Sequence, residues 1–476
     1  MKRDQQHVPL YQKLTKFSET KPISFHVPGH KNGAVFPSYA KQSFAGLLSL
    51  DLTELTGLDD LHAPHGVIAE AEELAADFFG ADHTFFLVGG STAGNIAMIL
   101  VACSAGEEII VQRNSHKSII NGLELGGANP VFITPEYDQS VGRYTSPSIA
   151  TLERALQQHS DAKAVVLTYP DYFGKTYNLK KMIELAHDYH IPVLVDEAHG
   201  VHFSLGAPFP LSALEMGADI VVQSAHKMAP AMTMSSYLHM NTERIAKERV
   251  AHYLQMLQSS SPSYPLMASL DIARSFLATI TSVQIKAVKD SVNQVRGIFK
   301  SAKMWSLLPV AESDDFLKLT LHMKQGISGY EVACKFEQAG VYPELATHNQ
   351  VLFIHGLQPF QQIEQLKKVV KSVDEQLKIC ESRATIDITN LFPQKVQMLE
   401  LTYQLMNQLE TKVLSFYKAV GNVAAEAIIP YPPGIPLILQ GERITSEHIL
   451  IIEQLIKQGV TIQHRDITNG IRVFNR

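Results

Sequence analysis

Four groups of residues in this 476-residue chain carry side chains suited to chemistry. Ser224-Ala225-His226-Lys227 follows the apolar run ADIVVQ. A lysine at the carboxyl end of a strand in an α/β sheet sits where such sheets bind ligands. Its amine can form a Schiff base with a carbonyl compound, although a lone lysine reads equally well as a solvated surface residue. Asp196 closes the run VLVD. An acid at the end of a buried strand needs a partner, because an unpaired buried carboxylate is costly. The N–H of a pyridinium ring is such a partner, and the pair would keep the ring able to accept electrons. A cap for the following turn is the plainer reading. Gly89-Gly90-Ser91-Thr92-Ala93-Gly94-Asn95 precedes the apolar helical run IAMILVAC. Small residues and hydroxyls at a helix start present N–H groups to an anion, and a phosphate fits there; Ser91 or Thr92 as an ordinary N-cap is the alternative. His116, in RNSHKS, offers an imidazole able to stack on a flat ring, or a structural side chain.

These groups need a scaffold that brings strand ends and helix starts together. From about Pro37 to Ala287, short β-branched runs at Glu108–Gln112, Val131–Thr134, Ala164–Thr168, Val193–Asp196 and Ile220–Ser224 alternate with helical patterns such as Leu179–Tyr189. That alternation predicts βαβ units and a mainly parallel sheet. The expected organisation is an N-terminal arm over 1–36, a large α/β domain over 37–290 and a smaller C-terminal α+β domain over 291–476. A single long helical pattern, Leu266–Met304, links the last two. In the C-terminal part, strands are expected at Leu317–Leu321 and Val351–Ile354, and helices at Leu366–Glu381 and Val396–Val420. The prolines of IIPYPPGIPLILQGE exclude a regular central strand and predict an ordered loop crossing a site or an interface.

Composition narrows the class. The chain is 45% hydrophobic and 18% charged, with a net charge of -6, which is ordinary for a globular protein of two or three domains. Basic residues are dispersed, so no patch points to nucleic acid or an anionic membrane. The polar start, Met1 to Leu10, is not a signal peptide, and the longest apolar runs, such as Ile96–Ala102, are too short to span a bilayer. Cys103, Cys334 and Cys380 are scattered, which argues against a disulfide framework or a structural metal site and for a reducing cytoplasm. Cys103 is expected in the core.

The order and wording of GGSTAGN, RNSHKS, VDEAHGVH and SAHK resemble the fold-type I pyridoxal-phosphate (PLP) enzymes. FHVPGHKNG, LDDLHAP, TYPDYFG, SSSPSYPLMASLD and PYPPGIP narrow the resemblance to the Orn/Lys/Arg decarboxylases, from Pro9 to about Glu442. The resemblance implies that PLP is carried on Lys227 and that Asp196 pairs with its ring nitrogen. His116 stacks on one ring face and Ala198 packs on the other. Ser91, Thr92 and Ser224 hold the phosphate, and His226 contacts phosphate or substrate. It further implies a homodimer with shared sites, in which Ser259 and Ser260 reach the neighbour's site, and a carboxylate, Glu442, facing the substrate's distal cation. The implied substrate is arginine, lysine or ornithine, and the products are CO2 and an amine that is a di- or polyamine precursor. Two departures stand out. The chain starts at the arm, PLYQKL, where larger relatives carry a wing domain, so an assembly without the wing is expected. The loop reads LQGE where many relatives have a proline before Gly-Glu, which bears on the place of Glu442. Transamination or aldol cleavage is the competing enzyme reading, with Arg472 as the one tempting carboxylate grip. A non-catalytic PLP-binding paralogue is the other.

Overall fold

The computed structural model describes residues 3–378, 388–389, 391–392, 394–430, 435–457, 460, 462 and 467–475. Its contacts divide the chain into two units, residues 1–102 with 179–280, and residues 103–178 with 281–476. The architecture is α/β with a smaller C-terminal α+β domain.

In the first unit, strands run in the order His83–Leu87, Ser236–Met240, Ile220–Gln223, Val193–Asp196. The first two junctions are antiparallel and the last is parallel, with Asp196 opposite Val222. Val193–Asp196 and Ile220–Gln223 are buried at every position, which is why both of their faces are apolar along most of their length. The helix Gly90–Ala102 lies directly on these strands. A Cβ on Gly94 would come within 2.7 Å of Leu87 and 2.9 Å of Val222, so only glycine permits the approach.

The N-terminal arm is held by a buried ion pair. The helix Pro9–Glu19 has no side-chain cap from its own N-cap residue, Val8. Its first N–H groups, those of Leu10 and Tyr11, donate instead to Asp271, on the helix Tyr264–Thr279. Arg274, one turn along that helix, pairs with Asp271 and donates to the carbonyls of Gln5 and His7. Both charged side chains are fully buried. The LDDLHAP motif is a second clasp. Asp59 accepts from the N–H groups of Asp60, His65, Gly66, Ile68 and Ala69, at the start of the helix Val67–Phe79. Burial pulls its pKa upward, but these N–H bonds outweigh burial and hold it below the ordinary carboxylate range.

In the second unit, Glu108–Gln112 runs parallel to both Asn129–Ile133 and Val165–Thr168. Beyond them, an antiparallel sheet of Trp305–Leu307, Lys318–Met323, Gln350–Ile354 and Leu345–Ala346 packs with the helices Ser282–Lys300, Gly329–Gln338 and Ile363–Leu377 around Phe299, Phe336 and Phe353. A further core gathers Ile428, Ile438, Ile452, Ile471 and Val473. Cys103 is buried as expected, and burial pushes its thiol up to about 12. Cys380 and residues 431–434 of the proline-rich loop lie outside the described residues. Among those described, no single helix is long and apolar enough to cross a membrane.

Two expectations are corrected. The single helical pattern Leu266–Met304 is two helices, Tyr264–Thr279 and Ser282–Lys300, because Thr281 and Gln284 form a reciprocal capping box that starts the second. Val396–Val420 is not helical throughout. Val396–Met398 pairs antiparallel with Asn129–Ile133, Thr411–Leu414 pairs with Ile471–Phe474, and two one-turn helices, Tyr403–Met406 and Phe416–Ala419, accompany these strands. Long-range strand pairing overrides the local helical periodicity here.

Removing one partner of a buried ion pair leaves the other charge uncompensated. Asp271→Ala is therefore expected to lower stability by about 3–5 kcal/mol and to loosen the arm. Urea unfolding and limited proteolysis at the N-terminus measure the two effects.

Candidate active site

Three segments of the first unit converge at the carboxyl ends of Val193–Asp196 and Ile220–Gln223. Asp196 is 2% exposed. One of its oxygens accepts from Ala198 N at 3.1 Å and the other from Asn95 Nδ2 at 3.0 Å. Asn95 lies on the helix Gly90–Ala102, one turn after Ser91. At the helix start, the Ser224 hydroxyl donates to Ser91 Oγ at 2.7 Å, and Thr92 is exposed on the same turn. Ser224 opens the short helix Ala225–Met228, which carries His226 and Lys227. Lys227 Nζ lies 3.2 Å from His199 Nε2. His226 Nδ1 lies 3.1 Å from the Ser235 carbonyl, which places its proton on that nitrogen.

This donor set fits PLP. Hydroxyls beside a helix N-terminus suit a phosphate. The buried carboxylate accepts one hydrogen bond on each oxygen and keeps lone pairs for a further N–H. An amine stands on the adjoining strand end for an aldehyde. Ser91, Asp196, Ala198, Ser224, His226 and Lys227 are thus gathered within one unit. Two members of the site, Asn95 and His199, were not singled out from the sequence. Both stand inside motifs that were, GGSTAGN and VDEAHG. The four-residue spacing from Ser91 to Asn95, which puts both on one helix face, was the available signal.

The other site candidates occupy their own surroundings. In the second unit, His116 caps the helix Lys117–Gly126, its Nδ1 accepting from Ser118 N. Three residues earlier, Arg113 is fully buried and donates to the carbonyls of Pro436 and Leu437 and to Glu442 Oε2 at 2.7 Å. Glu442 also accepts from Gln397 and from Leu439 N. Burial raises its pKa, but Arg113 and the Leu439 N–H overcome this and leave it below the ordinary range. The structure thus gives Glu442 a counter-ion of its own, where the sequence suggested a carboxylate facing a substrate cation. Arg472 is exposed on Ile471–Phe474 and bonds Thr411. In the first unit, Ser259 and Ser260 form an exposed turn, tied back to LDDLHAP through His62, which bonds the Ser259 carbonyl at 2.8 Å.

Residues 8–318 match the model of the Orn/Lys/Arg decarboxylase major domain, and residues 383–460 match that of the C-terminal domain. The chain belongs to this family. Among relatives of the family, an uncharacterised protein of Bacillus subtilis, YaaO, is 46% identical over 96% of both chains. The arginine decarboxylase of the same organism is 37% identical, again over 96% of each. The solved structure of the Escherichia coli constitutive lysine decarboxylase superposes with a TM-score of 0.82 at 19% identity, covering 99% of this chain and 82% of that one. That likeness shows the fold, and decarboxylases of this family are PLP-dependent.

If Lys227 is the residue that holds PLP, borohydride reduction of the PLP-loaded protein will fix the cofactor on the peptide containing Lys227. Lys227→Ala will leave that peptide, and the rest of the chain, unlabelled in mass-spectrometric mapping.

Proposed function

We propose that the protein is a PLP-dependent decarboxylase of a basic amino acid, and that arginine is its substrate. The observation that carries the reaction class is the Lys227–His199 and Asp196–Asn95 constellation in a chain of the Orn/Lys/Arg decarboxylase family. The arginine decarboxylases of Bacillus subtilis and Halalkalibacterium halodurans, matched along nearly their whole length, support arginine. Its amine product is a polyamine precursor, and the proposed compartment is the cytoplasm.

Bound PLP supplies an electron sink for the pair released when CO2 leaves. The chain's own residues do the rest. Ser91, Thr92 and Ser224, with the helix start, hold the phosphate. Asp196 keeps a proton on the ring nitrogen. His116 and Ala198 are the proposed ring contacts, and His226 lies beside the phosphate or the substrate. Lys227 would hold the cofactor through its aldehyde, and His199, 3.2 Å from Nζ, would share the proton at that nitrogen. Glu442, fixed by Arg113, Gln397 and Leu439 N, is the proposed counter-charge to the distal cation, weakened by the guanidinium it already holds.

The proposed assembly is a homodimer in which Ser259 and Ser260 reach the neighbour's site. The first unit exposes Ile23 (88%), Phe25 (93%) and Tyr39 (91%), with Val27 and Val35 also exposed. Such a run of large apolar side chains is the signature of a surface covered in the assembly.

Two outcomes test this reading. Given arginine, lysine and ornithine separately, the PLP-loaded protein is expected to release CO2 and an amine from arginine at least tenfold faster than from the others, with none from Lys227→Ala. A keto acid product, or no turnover on any of the three, overturns it. Phe25→Glu is expected to convert the dimer to monomer in light scattering and to remove activity while leaving the far-ultraviolet circular dichroism intact.

A further inference from the structure

A helix start leaves its first N–H groups without partners in the helix. In the helix Gly90–Ala102 the first of them, that of Gly90, donates to the Met234 carbonyl at 2.9 Å. Met234 lies in a tight turn, Met232–Ser235, in the segment that follows Lys227. The Ser235 N–H closes this turn onto the Met232 carbonyl at 3.0 Å. Met234 has a φ of +79°, and it is the one residue of the turn in the left-handed region. Positive φ at the third residue alone is the form of a type II turn, where glycine is favoured because a Cβ strains that conformation. Here a methionine adopts it. Met234 is 49% exposed, so packing of its side chain does little to offset the strain.

A buried hydroxyl keeps the turn closed. Met232 N donates to Ser269 Oγ at 3.1 Å, and Ser235 Oγ, fully buried, lies 2.9 Å from the same oxygen. Ser269 itself donates to the Leu266 carbonyl at 2.7 Å, within the helix Tyr264–Thr279. With the Ser235 O–H donated to it, Ser269 uses its one donor and both acceptor positions. Both ends of the turn are thus fastened to one side chain. The strand Ser236–Met240 is fastened separately, by the Tyr237 hydroxyl, which donates to the Leu270 carbonyl at 2.6 Å. A change at Ser269 therefore acts on the turn and leaves the strand docked.

The turn meets the candidate site at two points. The Met234 carbonyl holds Gly90, which adjoins Ser91. The Ser235 carbonyl holds His226, accepting from its backbone N at 3.3 Å and lying 3.1 Å from its Nδ1. His226 adjoins Lys227. We propose that Ser269 is a positioning residue for the cofactor: its hydroxyl holds a turn that would otherwise relax, and the carbonyls of that turn set the helix start that takes the phosphate and the imidazole beside Lys227. The proposal rests on the reading of Ser91, Ser224 and Lys227 as the PLP site.

The test titrates cofactor-free protein with PLP by absorbance, after measuring amide hydrogen exchange in the peptide that spans Gly90. Ser269→Ala is expected to weaken PLP binding about tenfold, the worth of one or two hydrogen bonds, and to speed the exchange. Met234→Gly relieves the strain and is expected to bind PLP at least as tightly as the wild type. In the double variant Ser269→Ala/Met234→Gly, glycine keeps the turn without the hydroxyl, so affinity and exchange are expected to return to wild-type values. Damage to the helix Tyr264–Thr279 alone would not be rescued at Met234. Met234→Val, whose β-branched side chain resists positive φ, is expected to mimic Ser269→Ala from an exposed position. Wild-type PLP affinity in Ser269→Ala, or a double variant no better than Ser269→Ala, overturns the proposal. If Ser269→Ala does not fold, Met234→Val decides: weakened binding supports the proposal and wild-type binding overturns it. A wild type that takes up no PLP overturns the reading of the site, and the order of the exchange rates still decides whether Ser269 holds the turn.

Discussion

The carboxylate of Asp196 is buried at a strand end with two neutral donors, and much of the first unit is arranged to make that possible. Asn95 reaches it because the helix Gly90–Ala102 lies against the strands, and the helix lies there because Gly94 has no side chain to hold it off. The Ala198 N–H reaches it because the chain turns sharply after Asp196, and Glu197 pins that turn to Gln223 and Ala213. The same turn brings His199 to Lys227. Parallel pairing sets Asp196 opposite Val222, two residues before Ser224, so the acid and the lysine stand at neighbouring strand ends. A change in any of these contacts displaces the carboxylate relative to the amine.

This part of the site was legible in the sequence because it is local. Each motif is a strand end or a helix start whose geometry follows from a few adjacent residues, and the β-branched runs at Glu108–Gln112 and Val193–Asp196 became strands with the expected ends. What escaped was long-range. Nothing near Glu442 announces that its partner is Arg113, 329 residues earlier. Nothing within Val396–Met398 announces that its helical periodicity yields to pairing with Asn129–Ile133. The break at Thr281 is a different kind of miss. Its signal, Thr-x-x-Gln, was present, and was outweighed by the continuous apolar pattern on either side.

The quoted motifs also hold segments together. LDDLHAP closes the helix Val67–Phe79 through Asp59 and holds SSSPSYP through His62 and through the Tyr264 hydroxyl, which donates to the Asp59 carbonyl. The end of the same segment, Asp271, clamps the arm. Segments distant along the chain are thus tied to one helix, Tyr264–Thr279, and the exposed apolar residues between Ile23 and Tyr39 are carried on a stretch anchored by that helix's ion pair.

The buried acids are matched in different ways. A carboxyl group out of water must be matched by a cation, by several N–H groups or by a proton. Asp271 has Arg274 and Glu442 has Arg113. Asp59 has five backbone N–H groups. Glu72, bonded to Phe86 N, and Glu197, bonded to Ala213 N and the Gln223 amide, are both pushed up to about 8 by burial. Asp196 is as buried as the others, and among the described residues it has two neutral donors and no ion pair. The match proposed for it is the N–H of the cofactor's pyridine ring, at the strand end beside Lys227, and an aldehyde on the same ring would account for the amine as well.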